Sequence, residues 1–255
     1  MIAFLSDFGL KDPYVGVVKG VVARISPSSK LIDITHDVSP GNVKEASFVL
    51  SMSFSYFPEK TVFLVVVDPG VGSRRRGIVV EAAGYCFVGP DNGIFSHVLR
   101  VIHGPWRAYE IAVDRIVQGA PSRTFHARDV FGPLAALLDS GLSLEDVGHG
   151  IREIVTFDVD LPEISKEKIV GKVVYLDRFG NAITNIPSSI VSEPVTLMVR
   201  NTILRLVNSY EEGRGLQGFG IMGSHGYLEI SSYLKSVQDT LDLREGDEII
   251  IVPTR

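Results

Sequence analysis

Asp68 ends the apolar run Val65-Val66-Val67 and is followed by Pro69-Gly70-Val71-Gly72 and then by three arginines, Arg74, Arg75 and Arg76. A buried strand brings such an acid to a sheet edge, and the Pro/Gly turn can fold Arg75 back toward it. At the carboxyl end of a strand in an open α/β sheet, where ligands bind, a carboxylate and a guanidinium held together can orient a polar reactant. The same residues also describe a solvated corner whose ion pair is worth little. The segment alone leaves both readings open.

A second acid, Asp7, follows the first strand in Leu5-Ser6-Asp7-Phe8-Gly9. A carboxylate there can accept both hydroxyls of a ribose diol, or it can serve as a turn or capping aspartate. His126 sits among polar neighbours in Ser122-Arg123-Thr124-Phe125-His126-Ala127-Arg128-Asp129, just ahead of an apolar segment. With an acid and a cation beside it, an imidazole there could orient and deprotonate water. The other histidines, His36, His97, His103, His149 and His225, are given structural roles. Pro90-Asp91-Asn92-Gly93 is read as a turn lining a site. Farther on, Asp177-Arg178-Phe179-Gly180-Asn181 interrupts a strand. Phe179 could lie on a flat heterocycle with Asp177 and Asn181 as polar contacts, or the Gly-Asn pair could be a plain hairpin corner. Gly223-Ser224-His225-Gly226-Tyr227 carries the same two readings.

The elements that must position these groups change character along the chain. Strand-like runs at Ile2 to Leu5, Lys30 to Ile34, Thr61 to Val67, Ile78 to Glu81 and Cys86 to Val88 alternate with helical patterns at Gly16 to Ile25 and Val43 to Tyr56. Phe131 to Leu138 reads as a further core helix. This alternation predicts helices on both faces of a mainly parallel sheet, a three-layer α/β domain over residues 1–160. A charged, proline-bearing connection is expected at about 161–168. Short β-rich runs then follow at Ile169 to Leu176, Val195 to Val199, Ile203 to Val207, Tyr227 to Ile230 and Glu248 to Val252. They predict a smaller all-β domain, barrel or sandwich, over 169–255.

Composition narrows the function classes. A net charge of −5 offers no global positive field for a phosphate backbone, so nucleic acid is not expected as a partner. No run reaches the roughly 18 apolar residues of a spanning helix, and the chain opens directly on a strand, so a cytoplasmic protein without membrane attachment is expected. A mean hydropathy of +0.22 predicts apolar surface buried between subunits. The single cysteine, Cys86, lies in the apolar run Tyr85-Cys86-Phe87-Val88 and is read as a buried, inert thiol.

Taken in order, Ser6-Asp7-Phe8-Gly9, His36-Asp37-Val38-Ser39-Pro40, Asp68-Pro69-Gly70-Val71-Gly72, Pro90-Asp91-Asn92-Gly93, Thr124-Phe125-His126, Phe179-Gly180-Asn181 and Ser224-His225-Gly226-Tyr227 span nearly the whole chain. Their set resembles the S-adenosyl-L-methionine (SAM) hydroxide adenosyltransferases, the adenosine-forming SAM hydrolases related to fluorinase and chlorinase. The resemblance implies an N-terminal α/β domain, a C-terminal β-barrel, and a homotrimer with active sites between subunits. It places the water-activating acid, arginine and histidine on Asp68, Arg75 and His126, and the ribose-binding acid on Asp7. Asp177, Asn181 and Ser224 would surround the adenine and methionine portions, with Phe179 and Tyr227 beside them and adenine contacts from Ser231 to Leu234. The implied reaction is SAM plus water to adenosine plus L-methionine, with no metal and no cofactor.

Three other readings stand against this one. A halide-using adenosyltransferase is disfavoured because a carboxylate at Asp68 repels an anion, and because the fluorinase has a serine where this chain has Ala127 and a long insertion near Val80 to Phe87 that is missing here. A non-catalytic SAM or adenosine sensor would need no set like Asp68, Arg75 and His126. A metal-dependent hydrolase built on Asp7, Asp68 and His126 lacks clustered-histidine ligand spacing.

Overall fold

The computed structural model describes residues 1–117, 119–192 and 194–253. By internal contacts the chain divides into two compact units, Met1–Val159 and a second from Asp160 onward.

The first unit runs β1 (Ile2–Ser6), α1 (Tyr14–Ile25), β2 (Leu31–Thr35), α2 (Val43–Ser53), β3 (Val62–Val66), β4 (Gly77–Ala82), β5 (Tyr85–Pro90), α3 (Ser96–Ile102), β6 (Trp106–Ile111), α4 (Val113–Ile116), α5 (Gly132–Asp139), α6 (Leu144–Val147) and β7 (Gly148–Ile151). Its seven-stranded sheet has the order β2-β1-β3-β5-β4-β6-β7. Side chains alternate across a strand, and here both faces are apolar. Ile2, Phe4, Val62, Leu64 and Val66 pack against Val18 and Val22 of α1 and Leu134 of α5. Ala3, Leu5, Phe63, Val65 and Val67 pack against Ala46 and Leu50 of α2 and Val98 of α3. Burial of each large side chain contributes about 1.5–3 kcal/mol, so covering both faces is what keeps this a three-layer α/β unit.

The sheet is mixed rather than uniformly parallel. β2, β1, β3 and β5 are parallel neighbours, whereas β4 lies antiparallel to both β5 and β6, and β7 is antiparallel to β6. The cause is local. Ala83 and Gly84, at φ of 49° and 79°, close a two-residue hairpin that returns the chain beside β4 instead of crossing over. Cys86 lies on β5 and is half-buried; burial, with the Glu81 charge adding to it, pushes its thiol up to about 11.

Asn42 caps α2, accepting from Glu45 N at 3.1 Å, and Glu45 reaches back to Ser39 N. The helix tightens into a 3-10 turn at Phe54–Tyr56 before Pro58. α5 is preceded by a π-helical turn over Ala127–Phe131, so His126 stands at the entrance of that helical segment.

The second unit runs β8 (Glu163–Ile164), β9 (Ile169–Leu176), β10 (Ala182–Pro187), β11 (Val195–Val199), β12 (Thr202–Val207), β13 (Phe219–Met222), β14 (Tyr227–Ser231), α7 (Val237–Leu241) and β15 (Glu248–Pro253). The strands follow the order β10-β14-β13-β12-β11-β15-β9, and pairing of β10 with β9 closes the ring into a seven-stranded barrel, with β8 attached at the side of β9. Closure removes the exposed strand edges of an open sheet. The barrel is filled by Val173, Ile186, Leu197, Leu228, Ile230 and Ile251, among others. β10 is buried almost throughout yet reads as polar, because Thr184 and Asn185 satisfy their side chains on the Leu228 and Asp160 carbonyls at 2.8 Å each.

Candidate functional site

β1 and β3 are parallel neighbours with Ser6 opposite Val66, so residues that follow the two strands leave the sheet at one edge. Asp7 comes directly after β1 and Asp68 just after Val67. Both line one cavity of about 260 Å³, together with Phe8, Thr124, Phe125 and His126. Asp7 Oδ2 accepts a hydrogen bond from Gly41 N at 2.8 Å.

Beyond Asp68 the chain doubles back. Val71 N donates to the Asp68 carbonyl at 3.2 Å, and Ser73 N to the Gly70 carbonyl at 3.1 Å. Gly72, at φ of 75°, passes so close to the Arg123 carbonyl that a Cβ would stand 2.2 Å from its oxygen. The glycine thereby lets the 69–75 turn and the 122–126 segment meet. Arg75 then points back: its Nε donates to both Asp68 carboxylate oxygens at 3.0 Å, and its Nη2 reaches Asp68 Oδ2 and, at 2.8 Å, His126 Nδ1. The guanidinium carbon lies 5.1 Å from the centroid of the Phe131 ring. The Asp68 and Arg75 side chains retain 6% and 12% of their exposure. The pair is therefore largely out of water, where attraction between charges is stronger than at an open surface, and the solvated-corner reading does not describe it.

The tautomer of His126 follows from Arg75. A guanidinium has only donors, so Nδ1 must accept, and the ring hydrogen of the neutral imidazole sits on Nε2. Burial and then the Arg75 charge hold the His126 pKa below its ordinary value, partly offset by Asp68 and Asp129. Asp91 and Asn92, read from sequence as lining a site, instead brace the neighbourhood. Asp91 pairs with Arg76 and accepts from Val155 N at 2.7 Å, and Asn92 Nδ2 donates to the Val67 carbonyl at 2.9 Å.

In the second unit a cavity of about 470 Å³ is walled by Phe179, Asn181, Tyr210, Ser232, Tyr233 and Leu234. Phe179 is 81% exposed, an unusual position for a phenylalanine unless something covers it. Asp177 is engaged with its own corner: Oδ1 accepts from Phe179 N at 2.9 Å and Asn181 N at 2.8 Å, and Oδ2 from Asn181 Nδ2 at 2.9 Å. The corner is thus a hairpin, and it also presents an aromatic to a cavity. Ser224 and Tyr227 stand at a different turn, closed by Gly226 N to the Gly223 carbonyl at 3.0 Å.

Tyr210 and Glu229 escaped the sequence reading. The Tyr210 hydroxyl donates to Glu229, as does Ser231 Oγ at 2.7 Å, and His225 Nε2 lies 3.2 Å from the same carboxylate. Burial alone would raise the Glu229 pKa, but these three partners leave it below the ordinary carboxylate value. An aromatic in the otherwise polar stretch Asn208-Ser209-Tyr210-Glu211 was the one available signal. Among the described residues, no group of three or more His, Cys, Asp or Glu side chains could hold a metal ion.

Residues 2–148 match the family model for the SAM hydroxide adenosyltransferase N-terminal domain, and residues 171–250 match that for the C-terminal domain. A protein from Thermus thermophilus named (R)-S-adenosyl-L-methionine hydrolase is 38% identical over 253 residues, covering 96% of each chain. One of the same name from Methanocaldococcus jannaschii is 34% identical, covering 99% of this chain and 95% of its own. A fluorinase from Nocardia brasiliensis is 30% identical over 213 residues, 73% of this chain and 71% of its own. The crystal structure of an uncharacterized conserved protein from Thermotoga maritima superposes with a TM-score of 0.93 at 40% identity, over 99% of this chain and all of that one. With both of its domain models matched and full-length relatives well above 30% identity, the chain belongs to the SAM hydroxide adenosyltransferase family.

Proposed function

We propose that this protein hydrolyses the (R) epimer of S-adenosyl-L-methionine to adenosine and L-methionine. The observation that carries the reading is the Asp68–Arg75–His126 cluster, whose acid and histidine line one cavity with Asp7. The sulfonium makes C5′ of the ribose electrophilic. Attack of water forms the O–C5′ bond while the C5′–S bond breaks, with its electron pair going to sulfur and releasing neutral methionine. Water, with a pKa of about 15.7, is a poor nucleophile and gains from a base. Asp68 can accept one water hydrogen, and His126 Nε2–H can donate to the water oxygen, which leaves a lone pair for C5′. In this reading Asp68 receives the proton, a choice supported by the engagement of His126 Nδ1 with Arg75. Asp7 would hold the ribose diol and so fix C5′ in line. Asp177, Phe179, Asn181, Ser224 and Tyr227 are assigned to the adenine and methionine portions, with Tyr210 added to them. The (R) designation comes from the relatives' name, and an in-line displacement is sensitive to it, since inverting the sulfonium redirects the leaving methionine.

The same reading includes a homotrimer in the cytoplasm and a reaction that needs no metal or cofactor. Among the described residues no helix is long and apolar enough to cross a membrane. The test is incubation with each SAM epimer in water enriched in oxygen-18, with and without chloride, followed by mass spectrometry. Labelled adenosine plus methionine from the (R) epimer is expected. Formation of 5′-chloro-5′-deoxyadenosine would move the protein among the halogenases, and intact bound SAM would make it a sensor.

A further inference from the structure

Beneath Asp7 a line of polar groups runs inward from the surface and takes no part in the chemistry proposed above. Lys19 Nζ on α1 donates to Asp33 Oδ2 on β2 at 2.6 Å. Asp33 Oδ1 lies 3.1 Å from His36 Nε2, an electrostatic contact out of line for a good hydrogen bond. His36 Nδ1 is 2.7 Å from Ser6 Oγ, and Ser6 Oγ accepts from Phe8 N at 3.4 Å. Gly9 N donates to the His36 carbonyl at 2.7 Å. Ser6 is fully buried and His36 is 4% exposed, packed edge-on to Phe4 with ring centroids 4.6 Å apart.

Ser6 precedes Asp7, while Phe8 and Gly9 follow it. His36 therefore grips the turn on both sides of the acid, by its ring through Ser6 and by its main chain through Gly9. The segment just beyond His36 also supplies Gly41 N to the Asp7 carboxylate. Side chains that hold a ligand-binding group without touching the ligand are as important to geometry as the group itself. We infer that His36 is a positioning residue for Asp7, so that ligand affinity depends on an imidazole that does not touch the ligand. The inference rests on the reading of Asp7 as the ribose-binding acid.

The test uses Ser6→Ala, His36→Gln and His36→Asn in the full chain, with the dissociation constant for adenosine measured by calorimetry alongside kcat and KM for SAM hydrolysis. An asparagine places its amide where Nδ1 stands and keeps the Ser6 partner, whereas glutamine reaches toward Asp33 and loses it. Ser6→Ala and His36→Gln are expected to weaken adenosine binding about fivefold, the size of one lost buried hydrogen bond. KM should rise in step, kcat should change less than about twofold, and His36→Asn should restore binding. In an Asp7→Ala background Ser6→Ala should add nothing. Unchanged binding in both Ser6→Ala and His36→Gln, or an undiminished effect of Ser6→Ala when Asp7 is absent, would overturn the inference. If Asp7→Ala alone bound adenosine like the natural chain, the ribose role of Asp7 would fail, and the inference with it. Ser6→Ala removes a single oxygen and carries the cycle by itself if the His36 variants do not fold.

Discussion

Arg75 brings only donors to the cluster, so in the proposed reaction the carboxylate of Asp68 is left as the proton acceptor. Asp68→Asn keeps the shape but not the basicity, and kcat for SAM hydrolysis should fall about 10²- to 10⁴-fold. KM should move less than about threefold, as steady-state kinetics would record. The proposed reaction uses His126 as a neutral donor, and its pKa is held below the ordinary 6.5. As pH falls through that lowered value the ring gains a second proton on Nδ1, which opposes the Arg75 bond, so the rate should drop on the acid side at a pH below 6.5. The Arg75 charge is a named cause of the lowering, so Arg75→Gln should move that acid limb upward, a shift that a pH–rate profile measures directly. The contact of Asp68 with Arg75 was legible in sequence because one strand and one Pro/Gly turn contain both residues. The tautomer of His126 was not, since it depends on a contact between residues 51 positions apart.

Secondary-structure elements deliver these groups to one edge, and their stability can be probed away from the chemistry. Asn42 caps α2 through Glu45 N; Asn42→Ala should cost about 1 kcal/mol in urea unfolding. Its side chain lies outside the cavity, so kcat should be retained. β1, β3 and β5 were legible because strands buried on both faces read as unbroken apolar runs. β6 and β10 were not. Trp106 and Arg107 on β6 are exposed, and β10 buries Thr184 and Asn185 behind satisfied hydrogen bonds. The antiparallel placement of β4 was also missed, because the Ala83-Gly84 hairpin requires a positive φ at an alanine, which sequence does not announce.

For the whole molecule the proposed trimer makes the most direct prediction. Sedimentation should give a mass near three times 27.8 kDa, and specific activity should fall on dilution below the assembly range. A fully active monomer would contradict the assembly. The α/β unit followed by a β unit was legible from the change in sequence texture near residue 160; that texture alone left barrel and sandwich open, and it was the family resemblance that pointed to the barrel which the pairing of β9 with β10 closes. One further property of the whole chain concerns its chemical accessibility. Cys86 is the only thiol, half-buried and with its pKa pushed up by burial, which disfavours the reactive thiolate. The natural protein should therefore react slowly with maleimides. A cysteine introduced at Leu234, 88% exposed at the rim of the second cavity, would take a fluorophore at one place, giving an optical reporter of ligand arrival without first removing native thiols.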